Sequence, residues 1–171
     1  IALQEIIWKI KPDLIIETGI ARGGSLILSA SILQLIGKGN VVGIDVDIRK
    51  QNRREIEKHP MFKRIKMIEG SSIDKKIINK VYALAKNKKQ ILVILDSNHT
   101  HEHVLKELEM YSPLVKKGSY LIAFDTVIDD ISNSKKLSNQ KRPWGKGNNP
   151  KTAVKEFLKN NPRFIIDTNI E

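Results

Sequence analysis

Residues 15–25, Ile15-Ile16-Glu17-Thr18-Gly19-Ile20-Ala21-Arg22-Gly23-Gly24-Ser25, organise everything around them. A short apolar run ends in an acidic residue and a glycine-rich turn. An apolar-periodic stretch with helical spacing begins at once, near Ser25. Strand, glycine turn and helix in that order place a pocket at the carboxyl end of the first strand of a doubly wound sheet.

The flanks repeat the pattern. Leu3, Ile6, Ile7 and Ile10 fall at helical spacing over 2–11, and Pro12 stops the run. Strands are expected over 13–18, 41–46, 65–69, 91–95 and 120–124, and helices over 25–36, 49–58, 73–86 and 101–115. The five consecutive apolar residues at 91–95 mark a strand covered on both faces. Strand and helix alternate with crossovers long enough for parallel pairing, so the expected fold is a Rossmann-like α/β sheet in three layers, α/β/α. Three strands should run one way from the first, with the fourth and fifth on its other side. The switch point then falls between strands one and four, beside Glu17 and Asp96. Over 126–149 the periodicity fails, which predicts a long polar loop. Asn149 and Pro150 read as the cap and first residue of a further helix, with Ala153, Val154, Phe157 and Leu158 on its apolar face. A sixth strand is expected over 164–166.

The turn's chemistry restricts its ligand. Gly19 to Gly24 has P-loop glycine spacing, but Ser25 and Leu26 stand where Lys and Ser/Thr belong. The dinucleotide fingerprint fails as well, because Ile20 and Ala21 follow Gly19 where a second glycine should let the backbone approach a pyrophosphate. What remains is a glycine turn led by a carboxylate, Glu17. That group repels phosphate and suits a ligand with an ammonium, a sulfonium and ribose hydroxyls, namely S-adenosylmethionine. Asp45 ends the second strand 28 residues after Glu17, where an acid takes both ribose hydroxyls; Asp47 competes for the role. Asp96 and Asp125 end strands four and five, and two acids there form half an octahedral site for a hard cation.

Composition sets outer bounds. With 171 residues and 40% hydrophobic content the chain reads as one domain with a core of its own. The absence of cysteine excludes disulfides and thiolate zinc sites and agrees with a cytoplasmic location. No apolar run approaches the ~20 residues of a membrane span. Thirty Lys and Arg against nineteen Asp and Glu give +11, which favours anionic partners, nucleic acid among them. The excess is scattered Lys, and aromatics are only 5% and not interleaved with it, so solvated surface is the preferred account.

Glu17-Thr18-Gly19 with Gly23-Gly24-Ser25 resembles the first motif of class I methyltransferases. Together with Asp96-Ser97-Asn98-His99, Gly118-Ser119-Tyr120 and Arg142-Pro143-Trp144-Gly145-Lys146-Gly147-Asn148-Asn149-Pro150, it is similar to the family named for cephalosporin hydroxylases. The blocks keep the family's order over most of the chain. The resemblance implies an O-methyltransferase acting on a hydroxyl of a sugar, glycan or other small molecule. S-adenosylmethionine would be held by Glu17, Gly19, Gly23, Gly24, Ser25, Asp45, Asp96 and, at the adenine edge, Ser72. It also implies magnesium or calcium on Asp96, Asp125 and Thr126, with Thr126 standing where metal-dependent relatives carry Asn and Phe124 where some carry Glu.

Asp96 and His99 are the expected catalytic pair, His99 as general base or substrate contact, with His101 and His103 on the helix surface. Trp144 reads as a lid residue, and Arg142 and Lys146 beside it would neutralise an anionic acceptor. Two alternatives stay open: a nucleic-acid methyltransferase or binder, and an iron hydroxylase with His99, His103 and Asp96 as a facial triad. A homo-oligomer is compatible with all three. Class I methyltransferases add a seventh strand, and the chain opens on Ile, so the domain over 1–171 is expected to be clipped at both ends.

Overall fold

The computed structural model describes residues 2–131 and 142–170. Five parallel strands, β1 (Leu14–Thr18), β2 (Asn40–Asp45), β3 (Ile65–Glu69), β4 (Ile91–Leu95) and β5 (Leu121–Ala123), form one sheet in the order β3-β2-β1-β4-β5. This is the expected order, with its switch point between β1 and β4.

Helices α1 (Ala2–Ile10), α2 (Gly24–Ile36) and α3 (Lys50–Lys58) cover one face, and α4 (Lys75–Ala85), α5 (His101–Tyr111) and α7 (Pro150–Asn160) the other; a one-turn α6 (Ile128–Ile131) precedes α7. Because strand side chains alternate, Leu14 and Ile16 enter the α4/α5 layer while Ile15 enters the α1/α2 layer. β1 and β4 are buried at every position, which explains why β4 reads as a continuous apolar run and β1 does so as far as Glu17.

The termini of the elements follow local chemistry. α2 ends at Gly37, whose left-handed backbone lets its N–H reach the Gln34 and Leu33 carbonyls. Asp74 caps α4 by accepting from the Lys76 N–H. Asn149 and Thr152 form a reciprocal capping box for α7, with Pro150 at the first position as expected.

Three expectations fail. Residues 128–131 are helical inside the expected loop, and 132–141 of that loop lie outside the described residues. The helix after β4 stops at Tyr111 and tightens into a 3-10 turn over Ser112–Leu114. The sixth strand at 164–166 is absent: Ile165 is 88% and Ile166 65% exposed, and no described strand pairs with the far side of β5. An apolar run becomes a strand only where a neighbour supplies its hydrogen bonds. Here Phe164 packs on Phe157, Tyr120 Oη donates to Asp167 Oδ2 at 2.7 Å, and the segment is held as a loop.

Candidate active site

The ends of four strands build the site. The Gly19 N–H donates to the Ile44 carbonyl, the Asp96 N–H to Thr18 and the Phe124 N–H to Leu95, so each ladder runs one residue past its strand. Gly19 has φ +90°, and a Cβ there would overlap the Asp96 carbonyl oxygen. Only glycine lets the β1 and β4 turns touch. Gly23, also left-handed, packs against Ile56, whereas the side of Gly24 is open.

Glu17 points into this junction. It is 1% exposed, one carboxylate oxygen accepts from Ser25 Oγ, and Oε2 has no partner. Burial pushes its carboxyl up to about 7; the Ser25 bond opposes the shift and the Asp96 charge adds to it. Asp45 clasps the same turn, with Oδ2 accepting from the Ile20 and Ala21 N–H groups at 2.7 and 3.1 Å and Oδ1 from the Asp47 N–H at 3.1 Å. A hollow of about 390 Å³ lies beside it, lined by Ala21, Arg22, Asp45, Asp47 and Asn52. Asp45 and Asp47 both border this hollow, with Asp47 Oδ2 3.8 Å from Arg49 Nε.

Asp96, His99 and Asp125 converge, each offering one ligand atom within 4.8 Å of the others. His99 Nε2 lies 3.4 Å from Asp125 Oδ2. Lost hydration and repulsion from Asp125, partly offset by His99, hold the Asp96 carboxyl up at about 6. Asp125 adopts φ +56°, a left-handed conformation that Asp tolerates better than most residues and that turns the chain directly after β5. The His99 imidazole is the third candidate donor beside the two acids. Thr126, expected in that place, offers only a neutral hydroxyl, and no Glu stands before Asp125 because that residue is Phe124.

The facial triad does not form, because the three histidines diverge. α5 starts at His101, so His99 precedes the helix and shares no face with His103. His101 and His103 lie half-buried at the helix surface. His101 Nδ1 meets Thr152 Oγ1 at 2.8 Å and its Nε2 Glu156 at 3.1 Å, which ties α5 to α7. His103 Nε2 lies 3.0 Å from Ser72 Oγ, and the Ser72 side chain is buried.

Trp144 meets the His99 ring edge-on, centroids 5.0 Å apart, with the Arg142 guanidinium 5.6 Å from its own centroid. The residues that hold it there were not singled out from sequence. Gly145 and Asn148 exchange backbone hydrogen bonds, Asn148 Nδ2 donates to the Pro143 carbonyl, and buried Asn149 donates to Asp129 and to the Gly145 carbonyl. Asn148 Oδ1 also accepts from the His101 N–H. The signal was the asparagine pair before Pro150, of which only the cap was legible. Lys146 is exposed beside them.

The model for Rhamnosyl O-methyltransferase/CmcI matches residues 1–171. The chain belongs to this family. Rhamnosyl O-methyltransferase of Mycobacterium tuberculosis (strain ATCC 25618 / H37Rv) is 34% identical over 132 residues, covering 74% of this chain and 51% of that protein. The Mycobacterium leprae (strain TN) protein of the same name is 34% identical over 125 residues, 72% of this chain and 52% of its own. This member of the Rhamnosyl O-methyltransferase/CmcI family thus spans about half the length of the curated relatives it matches. Among solved structures, apo CmcI superposes with a TM-score of 0.62 at 18% identity, over 99% of this chain and 63% of that one. MycE, a methyltransferase from the mycinamycin biosynthetic pathway in complex with Mg, SAH and mycinamycin VI, gives 0.61 at 16% identity, over 99% and 42%. These likenesses confirm the class I methyltransferase fold expected from the glycine turn. No helix among the described residues is long and apolar enough to cross a membrane.

Proposed function

We propose that this chain carries the catalytic core of an S-adenosylmethionine-dependent O-methyltransferase whose acceptor is a hydroxyl on a sugar, glycan or other small molecule. One observation carries the reading: Asp96, His99 and Asp125 converge at the strand ends directly beside buried Glu17 with its unpartnered Oε2. The relatives support it, since one group is named rhamnosyl O-methyltransferase and MycE was crystallised with Mg, SAH and mycinamycin VI.

The donor methionine fits the residues present. Glu17 Oε2 is a buried acceptor in need of a cationic donor, and the open side of Gly24 leaves the start of α2 approachable. Asp45 uses three backbone N–H bonds to fix the turn and keeps an acceptor site on Oδ1 for a ribose hydroxyl. The adenine edge falls to the backbone at 70–73 rather than to the Ser72 hydroxyl. A divalent cation fits too: the two carboxylates suit magnesium or manganese, the imidazole favours a softer divalent ion, and Asp96, Asp125 and His99 would hold it. When bound, the cation supplies positive charge that lowers the acceptor hydroxyl's pKa.

The remaining steps belong to side chains. Glu17 orients the donor's ammonium end, so that the sulfonium methyl faces the crevice. Trp144 closes over the acceptor and excludes water, and Arg142 and Lys146 receive any acidic substituent. Asp96, which offers the cation one carboxylate oxygen and keeps the other free, takes the hydroxyl proton. A location in the cytoplasm belongs to the same reading, supported by the cysteine-free sequence.

Calorimetric titration with S-adenosylhomocysteine tests the reading. Micromolar binding that Glu17→Ala or Asp45→Ala weakens is expected, and no heat at millimolar ligand overturns it. The +11 charge favours a nucleic-acid acceptor as the second reading. A gel-shift assay that detects no RNA or DNA binding in low salt removes it.

A further inference from the structure

Glu107 is 0% exposed, lies on α5 where no sequence expectation placed a functional residue, and leaves Oε2 without a partner. A buried carboxylate is costly, and an apolar residue of similar size would serve a core better. Its neighbours explain what it holds. Glu107 Oε1 accepts from Ser97 Oγ at 2.7 Å and lies 3.6 Å from His103 Nε2, one helical turn earlier. His103 Nε2 in turn lies 3.3 Å from Ser97 Oγ and 3.0 Å from Ser72 Oγ. Tyr111 Oη, from the end of the same helix, donates to the Ser72 carbonyl at 2.9 Å.

Proton accounting fixes the tautomer. The Ser97 hydroxyl spends its one hydrogen on Glu107, so its contact with His103 requires the hydrogen on Nε2. One N–H is thereby shared between Ser97 and Ser72, with the Glu107 charge behind it. Ser72 follows β3 and Ser97 follows β4. Those strands are separated in the sheet by β2 and β1, so no backbone ladder relates their turns. At about 4.8 Å per strand the turns spring from points roughly 14 Å apart.

We propose that His103 and Glu107 are positioning residues that pin the turn after β3 to the turn after β4, and so set the width of the crevice above β1 and β2. Ser97 is adjacent to Asp96, and its Cα lies 3.1 Å from where a Gly19 Cβ would sit, so the pinned turn includes the wall that meets the glycine turn. The inference rests on the methyltransferase reading for what fills the crevice, but not for the pinning itself.

The test replaces the pair by packed hydrophobics, His103→Leu with Glu107→Leu, and compares it with His103→Gln, whose amide nitrogen reaches the place of Nε2. Three quantities are read on each: thermal midpoint, affinity for S-adenosylhomocysteine by calorimetry, and amide exchange at 70–73 and 96–98. The double variant is expected to melt no lower than the parent, to bind on the order of tenfold more weakly, and to exchange faster at both turns while α7 is unchanged. His103→Gln should stay within about threefold of the parent. Unaltered affinity in the double variant overturns the proposal, as does a loss of binding accompanied by faster exchange everywhere. If the parent binds no S-adenosylhomocysteine, the methyltransferase reading fails and exchange alone decides, with unchanged protection at the two turns overturning the pinning. Should the double variant not fold, His103→Ala, which removes the contacts to Ser72 and Ser97 and leaves Glu107 its bond from Ser97, takes its place with the same outcomes for affinity and exchange.

Discussion

Glu17 shows how one carboxyl trades stability for function. Its pKa of about 7 lies above the unfolded value of 4.5, so the folded chain keeps a proton that the unfolded chain has lost. The stability this confers is complete below pH 4.5, falls as pH rises, and is gone above 7. At 1.36 kcal/mol per unit, Glu17→Gln is expected to be more stable than the parent at pH 8 by up to roughly 3 kcal/mol, with little difference at pH 4. Denaturant melts at the two values check this, and the same variant should bind S-adenosylhomocysteine at least about tenfold more weakly. The metal ligands divide differently. Loss of outer-shell partners alone typically costs 10–100-fold in metal affinity, so Asp125→Ala and His99→Ala should each weaken Mn2+ binding, read by electron paramagnetic resonance, by at least about tenfold. Thr126→Val should change it by less than about threefold if His99 is the third donor. Gly19→Ala should cost several kcal/mol, because φ +90° and the Asp96 carbonyl leave its methyl no room.

At the scale of elements, the segment 142–149 delivers Trp144 to His99 without any regular structure of its own. Asn149 is fully buried, caps α7, and also donates to Asp129 and the Gly145 carbonyl. Asn149→Ala is expected to cost about 2 kcal/mol in a urea melt, somewhat more than a cap alone. In a Trp8→Phe background it should also make Trp144 fluorescence more accessible to acrylamide. Sequence alone identified the cap but not the hook, because the hook's partners, Asp129 and Gly145, lie outside the helix pattern. Residues 164–166 teach the opposite lesson. Their apolar run predicts a strand, yet Ile165 faces solvent. Ile165→Asp should therefore shift stability by no more than about 0.5 kcal/mol in a thermal melt, where a buried strand position would lose several times that.

For the molecule as a whole, the order of the strands, the two helical layers and the acidic turn at the switch point were written in the sequence, because periodicity and glycine placement act within a few residues and survive without tertiary context. Family membership was likewise legible from short blocks in fixed order. What the tertiary structure alone decided was which side chains meet. It sent three closely spaced histidines to a pair of strand-end acids, to α7 and to a buried carboxylate, and turned the Ser72 hydroxyl inward. Such outcomes depend on helix start points and on turns whose strands are not neighbours, and a one-residue shift in where α5 begins rotates each of those imidazoles by about 100°. Local pattern fixes the scaffold because each element's preferences are its own; the site is fixed only when distant turns pack, since its geometry is a property of their contacts.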